Sequence, residues 1–302
     1  MNDKLKLIVV SGPTAIGKTE LSLQLARKLD CDIISADSRQ IYREMNIGTA
    51  KPTLQELEAA KHHFINFKSI REYYSAGRFE VDVLKLLSSY RKGTILMTGG
   101  SGLYIKAVCE GIDEFPAPDL TLRNNLQIKF EEKGLDHLTD ELKSLDYDTW
   151  ESIDLKNPKR VIKALEVIQQ TGRKYSELKS NAKKSRDFEI LKIGLDMPRG
   201  DLFNRINLRV DRMLEAGLLD EVQSLLPFRD LTALQTVGYT EFFEYFDGKY
   251  NLDEAIRLFK RNTRRYAKRQ LTWFRKDENI HWFSPDNYEQ ILSLISNYIA
   301  PK

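Results

Sequence analysis

The chain has 302 residues, 41% of them hydrophobic and 30% charged, with a formal net charge of +3. That is enough for one large core or two domains, and no apolar run reaches the roughly 18 residues of a membrane span. The opening MNDKLKLIVV is too polar for a signal peptide, and two cysteines without metal-ligand spacing (Cys31 and Cys109) fit a reducing cytoplasm and no zinc site.

The apolar residues Leu5 and Leu7 to Val10 predict a buried strand. After it, Gly12, Pro13, Thr14, Ala15, Ile16, Gly17, Lys18 and Thr19 fit G-x-x-x-x-G-K-[ST], and Leu21, Leu25 and Leu29 then mark one face of a helix. Strand, glycine loop and helix form the context a phosphate-binding loop requires. The glycines let backbone N–H groups wrap an anion, and the helix N-terminus adds free donors and positive dipole. Lys18 supplies a charge and the Thr19 hydroxyl a ligand for Mg²⁺. The motif specifies a phosphate or diphosphate without specifying the reaction.

Residues 31–37, CDIISAD, predict a second strand ending at Asp37, whose carboxylate would face the ligand crevice of a parallel sheet. SRQIYREMNIGTAKP has no sustained period and reads as a long loop of the kind that touches substrate. A short helix is expected from Thr53 to His63. Ser75 caps another, with Phe79, Val83, Leu86, Leu87 and Tyr90 at helical spacing and a stop at Gly93. TILMT, Thr94 to Thr98, is a third strand running into Gly99-Gly100-Ser101-Gly102 and a helix. An ATPase of the common kind would place a carboxylate at that strand end; Thr98 and Gly99 stand there instead.

Phe115-Pro-Ala-Pro-Asp119 breaks the composition. From there to Asp187 the chain is charged and free of strand patterns, with Asn157-Pro158 starting a helix through Gln170 that stops at Gly172. FEILKIGLD, Phe188 to Asp196, returns to the sheet. Asp201 is expected to cap the next helix, with Phe203, Ile206, Val210 and Met213 on its apolar face and Arg205, Arg209 and Arg212 on another stripe. QTVGYT is a glycine turn before the aromatic helix EFFEYF. From Arg257 to Lys276 nine basic residues occur with no acid, and Ile256, Phe259, Thr263, Tyr266 and Trp273 are expected to form the buried stripe. A basic helix anchored by aromatics suits a polyanion. Ile280 to Ser284 predicts an edge strand, and a closing helix starts at Tyr288. The expected fold is α/β: a P-loop NTPase-like parallel sheet flanked by helices, residues 1–115 and 188–302, with an all-helical insertion at 116–187.

Six segments together resemble the tRNA dimethylallyltransferases, the isopentenyltransferases that prenylate adenosine next to the anticodon: GPTAIGKT, DSRQIYREMNIGTAKP, TGGSGLYIKA, NPKRVIKALEV, QTVGYTEF and RNTRRYAKRQLTWFR. The resemblance covers nearly the whole chain, and the second segment is the most specific, since phosphate loops are common. Ser101 stands where the family commonly has threonine, and Lys163 where it often has arginine. The former keeps a hydroxyl; the latter keeps the charge without the bidentate fork. No zinc-finger extension of the eukaryotic kind is seen, which points to the bacterial type.

The resemblance implies that Gly12 to Thr19 hold the diphosphate of dimethylallyl diphosphate, with Mg²⁺ bound through Thr19. It implies that Asp37 accepts a proton from the adenine N6 amine and that Ser101 sits near the reacting base. Contacts to the tRNA anticodon stem-loop fall on Asp37, Ser38, Arg39, Gln40, Ser101 and Arg123, on Lys159, Arg160, Val161, Ile162 and Lys163, and on Gln235, Thr236, Val237, Gly238, Tyr239 and Thr240. Lys18 and an arginine would meet the leaving diphosphate; helix facing favours Arg209 over Arg205. A cytoplasmic monomer is expected. The alternatives are a small-molecule P-loop kinase using ATP, an adenylate isopentenyltransferase, and a non-catalytic tRNA-binding module.

Overall fold

The computed structural model describes residues 4–90, 92–113, 115–179 and 183–300. It divides into two units, Met1–Cys109 with Ser185–Lys302, and Glu110–Lys184.

In the first unit β1 (Lys6–Ser11) is buried along its whole length, and α1 (Lys18–Leu29) sends Leu21, Leu25 and Ala26 inward. β2 is Ile33–Ser35. The loop after it is not bare: Ile41, Tyr42 and Met45 are buried, and a 3-10 turn covers Ile47–Thr49. α2 (Leu54–Ala59) begins at a capping box in which Thr53 and Glu56 satisfy each other's backbone N–H. It stops short of His62 and His63, which were expected in that helix and instead form a two-residue strand, β3, beside β2. α3 (Ala76–Leu87) is capped by Ser75, β4 is Thr94–Gly99, and α4 is Gly102–Glu110.

The second unit holds α5 (Leu120–Leu145), interrupted at Gly134 where φ is 80°, α6 (Tyr147–Ser152), α7 (Pro158–Thr171) and α8 (Tyr175–Leu178). Its core joins Leu126, Leu138 and Leu142 of α5 to Val161, Ile162, Leu165 and Ile168 of α7. The Asp146 carboxylate ties this unit together, accepting from the N–H groups of Thr149 (3.1 Å) and Ser176 (2.8 Å).

The chain re-enters the first unit at β5 (Glu189–Leu195). α9 (Arg199–Glu215) starts after Pro198; Asp201 lies in its first turn and is not the cap, where it still favours the helix dipole. α10 (Leu218–Leu225), α11 (Thr240–Phe246), α12 (Leu252–Phe274), β6 (Ile280–Phe283) and α13 (Tyr288–Ile299) complete it.

The six strands form one sheet in the order β3-β2-β4-β1-β5-β6, with every pairing parallel. A parallel sheet needs both faces covered, and the unbroken burial of β1 follows from that. α1, α9 and α13 supply Leu25, Ile206 and Ile295 to the core on the central strands. The C-terminal ends of β1, β2 and β4 therefore deliver Gly12, Asp37 and Gly100 to one edge of the sheet, where parallel folds place ligands.

The inward face of α12 differs from the expected stripe. Ala255, Phe259, Ala267, Gln270 and Phe274 are buried, whereas Tyr266 and Trp273 are 36% and 41% exposed. Small residues let the helix seat closely, and the aromatics are left at the rim. Not all of its cations face away, either. Lys260 pairs with Asp211 at 2.5 Å and Arg264 donates to Asn207 at 2.7 Å, whereas Arg257 is exposed and pairs with Glu254 along the helix itself. The open face carries Arg265, Lys268, Arg269 and Lys276 around Thr272 and Trp273. Among the described residues no helix is long and apolar enough to cross a membrane.

Candidate active site

The loop between β1 and α1 is wound by three residues of positive φ, Gly12 at 153°, Ala15 at 64° and Gly17 at 107°. Such a turn points successive N–H groups inward as an anion nest, and holding alanine there costs about 1 kcal/mol of strain that clusters at functional loops. The loop forms one wall of a cavity of about 600 Å³. Lys18 and Thr19 line it with Asp37, Arg39 and Gln40 after β2, and with Thr98, Gly99 and Gly100 at the end of β4. Arg205, Arg209 and Arg212 enter from α9, Thr236 and Val237 from the glycine turn, and Thr263, Tyr266 and Gln270 from α12. All three arginines of the stripe thus reach the cavity.

Lys18 Nζ donates to the carbonyl oxygens of Gly12 (3.0 Å) and Pro13 (2.7 Å). Burial, and next the Arg209 cation, push the Lys18 ammonium down to about 7, while Asp37 pulls the other way. Arg209 is likewise lowered by burial and supported by Asp37. Lys18, Arg209 and Asp37 are therefore electrostatically coupled in one enclosed space. Asp37 is held by its own turn: Oδ1 accepts from the N–H groups of Arg39 (2.9 Å) and Gln40 (3.4 Å).

The other sequence candidates divide by burial. Ser101 is not at the cavity wall; its Oγ accepts from Ser38 N at 2.9 Å and donates to Ser38 Oγ at 3.2 Å, so it supports the turn that carries Asp37. Gln40 is likewise committed to scaffolding, donating to the carbonyls of Thr49 and Ala50. Thr236 and Val237 line the cavity and Gln235 is exposed, but Gly238 and Tyr239 are buried. Tyr239 is fully enclosed, with its hydroxyl on Glu221 at 2.7 Å. Expected as a tRNA contact, it is a structural pin.

In the second unit Lys159 and Arg160 are exposed. Val161 and Ile162 are core residues, because consecutive helix positions cannot all face outward. Arg123 is engaged with the fully buried Glu166 through Nε (3.1 Å) and Nη2 (2.7 Å), and Lys163 approaches the same oxygen at 3.8 Å.

Two residues not foreseen organise the site. Gln270 was hidden inside a run of cations. Glu221 lies on α10, a short helix with no motif to mark it. The Glu221 carboxylate accepts from Asn46 N (2.9 Å), Ile47 N (2.7 Å), Gly48 N (3.0 Å) and the Tyr239 hydroxyl. It therefore clamps the long loop to the glycine turn. A Glu221→Gln variant turns one oxygen into a donor facing donors. We expect a loss of about 2 kcal/mol, read as a thermal midpoint lowered by roughly 4–8 °C; an unchanged midpoint would remove the clamp from this account.

A magnesium ion suits the donor set only in part-ligated form. Among the described residues no group of three or more His, Cys, Asp or Glu side chains is poised to hold a metal. The cavity wall does offer hard oxygens: the Thr19 hydroxyl, and Ser22 Oγ and Thr98 Oγ1, which are buried with no hydrogen-bond partner. That chemistry fits Mg²⁺ ligated mainly by substrate phosphate and water.

The chain is similar to known proteins along nearly its whole length. Residues 40–277 match the family model described as IPP transferase. The chain is 48% identical over 291 residues to a tRNA dimethylallyltransferase of Cytophaga hutchinsonii, covering 96% of each chain. It is 49% identical over 296 residues to one from Christiangramia forsetii, covering 97% of this chain and 98% of that one. Among solved structures it resembles the tRNA isopentenylpyrophosphate transferase of Bacillus halodurans (TM-score 0.71, 38% identity, 97% of this chain and 96% of that chain). A eukaryotic dimethylallyltransferase acting on tRNA aligns with a TM-score of 0.78 at 26% identity, covering 97% of this chain and 79% of that chain.

Proposed function

The chain belongs to the IPP transferase family, the tRNA dimethylallyltransferases, and from that premise we propose how its own residues transfer the dimethylallyl group from dimethylallyl diphosphate to N6 of the adenosine next to the anticodon. The observation that carries the reading is the meeting of the phosphate loop, Lys18, Arg209 and Asp37 in one cavity.

The diphosphate lies on the loop N–H groups, with Lys18 and the α9 arginines around it. The acceptor adenine leaves the anticodon-loop stack to enter the cavity, which favours a single-stranded target. Its N6 amine is a weak nucleophile because the lone pair is delocalised into the ring. Asp37 accepts the N6 proton as the N6–C1 bond forms and the C1–oxygen bond to diphosphate breaks. The leaving group takes the electron pair, and Lys18 with Arg205, Arg209 and Arg212 meets the charge that develops there. Thr19 would hold Mg²⁺, which supplies further charge neutralisation on the diphosphate when bound. Ser101 acts by holding Ser38 and hence the Asp37 turn. The exposed cations of α12, and Lys159 and Arg160 of α7, take tRNA phosphates.

The test is transfer of radiolabel from dimethylallyl diphosphate to unmodified tRNA, with free AMP and ATP as controls. Label in tRNA alone is expected. Label in AMP would make the enzyme an adenylate isopentenyltransferase, and ATP turnover without labelling would make it a kinase-like protein.

A further inference from the structure

We propose that Gln270 is a positioning residue that sets the donor loop against the acceptor-side loop; the proposal rests on the functional reading above. Gln270 is only 7% exposed. Its Oε1 accepts from Thr14 N of the phosphate loop at 2.9 Å, and its Nε2 donates to the carbonyl of Gly100 at 2.9 Å. One side chain thus joins the loop after β1 to the loop after β4. A primary amide is suited to this, because it carries an acceptor and donors on neighbouring atoms.

From Gly100 the path continues to the base. Ser101 N donates to the Ala36 carbonyl at 3.2 Å, and Ser101 Oγ accepts from Ser38 N. Asp37 sits between those two residues. A hydrogen-bonded chain therefore runs from Thr14 through Gln270, Gly100 and Ser101 to the turn that aims the carboxylate. Removing its central member frees two loops that must hold the leaving group and the base at one fixed separation.

The seat for Gln270 is built into the backbone. A Cβ at Gly100 would lie 2.2 Å from Gln270 Nε2, and one at Gly102 would lie 2.2 Å from the Trp273 ring. These two close approaches, one helical turn apart on α12, bring the helix against the β4–α4 loop. The open face of the same helix carries Arg265, Lys268 and Arg269, so the surface assigned to tRNA and the bridge to the donor loop share one rigid element.

The bridge can be broken from either side. Gln270→Met keeps the length and neutrality but removes both hydrogen bonds; Gly100→Ala displaces the amide and leaves Gln270 in place. Both variants should lose about 10²-fold in kcat, bind inorganic diphosphate roughly 10-fold more weakly by calorimetry, and bind tRNA as wild type does. A merely structural glutamine would lower the melting temperature without that split between donor and tRNA. Wild-type kcat and diphosphate affinity in both variants would overturn the proposal while leaving the functional reading intact. If neither wild type nor variants label tRNA, yet both variants still bind diphosphate more weakly, the bridge stands and the functional reading falls.

Discussion

Asp37→Asn should lower kcat for prenyl transfer by about 10²–10⁴-fold, the range general base catalysis supplies, with little change in donor KM. Asparagine is the sharper substitution than alanine, because its amide oxygen can still accept from Arg39 N and Gln40 N, the bonds that shape the turn. What it loses is the ability to take a proton from N6. The donor side should change little: Asp37 is the anion that faces Lys18 and Arg209, so its removal takes away a charge that repels diphosphate and, with it, one that supports the Lys18 ammonium, two effects of opposite sign. Single-turnover rates with saturating tRNA and separate diphosphate binding would show the split. If the Asn variant turned over within about threefold of wild type, less than any general-base contribution, Asp37 would not be the base.

How far this site could be read from residues alone depended on the kind of constraint each position obeys. The conformation of the loop after β1 was legible because a phosphate-binding motif dictates spacing: glycines where the backbone must turn, Gly12 and Gly17, then Lys18 and Thr19 at the helix start. Asp37 followed from the rule that parallel strands end at the ligand, and the structure places it at the cavity after β2. The strands of the sheet announced themselves as apolar runs, except β3, whose two histidines carry no such signal. The face of α12 was misjudged for a physical reason. Aromatic residues suggested the buried stripe, and Phe259 does lie in it, but close seating also selects Ala255, Ala267 and the polar Gln270 and leaves Trp273 half-exposed at the rim. Likewise Val161, Ile162 and Tyr239 lie in family-like segments yet are buried. A recognised segment holds packing residues beside contact residues, and periodicity separates them better than membership does. Glu221 and Gln270 bond to backbone atoms far away in sequence, so nothing local to either position advertised the role.

Lys18 gives the second large effect, and it has a sign. In the free protein its pKa is lowered to about 7, first by burial and then by Arg209, with Asp37 opposing. A bound diphosphate adds negative charge beside the ammonium and must raise that pKa. Above about pH 7, then, the free lysine is largely neutral and the bound one protonated, so binding takes up a proton. Affinity should hold below pH 7 and weaken as pH rises from there toward the pKa of the complex, by at most about tenfold per unit. Calorimetry of inorganic diphosphate at pH 8, in buffers of different ionisation enthalpy, measures the uptake directly. The Lys18→Met variant is the reference, since the ligand's own protons are common to both proteins and cancel in the difference. That variant should also lose about 10²–10³-fold in kcat, as expected when one preorganised donor to the developing charge is removed. Equal proton uptake by wild type and Lys18→Met would mean that the lysine is already charged in the free protein, or that it does not meet the diphosphate. A kcat within about twofold of wild type, against the loss expected for such a donor, would single out the latter and pass the charge-neutralising role to the arginines of α9.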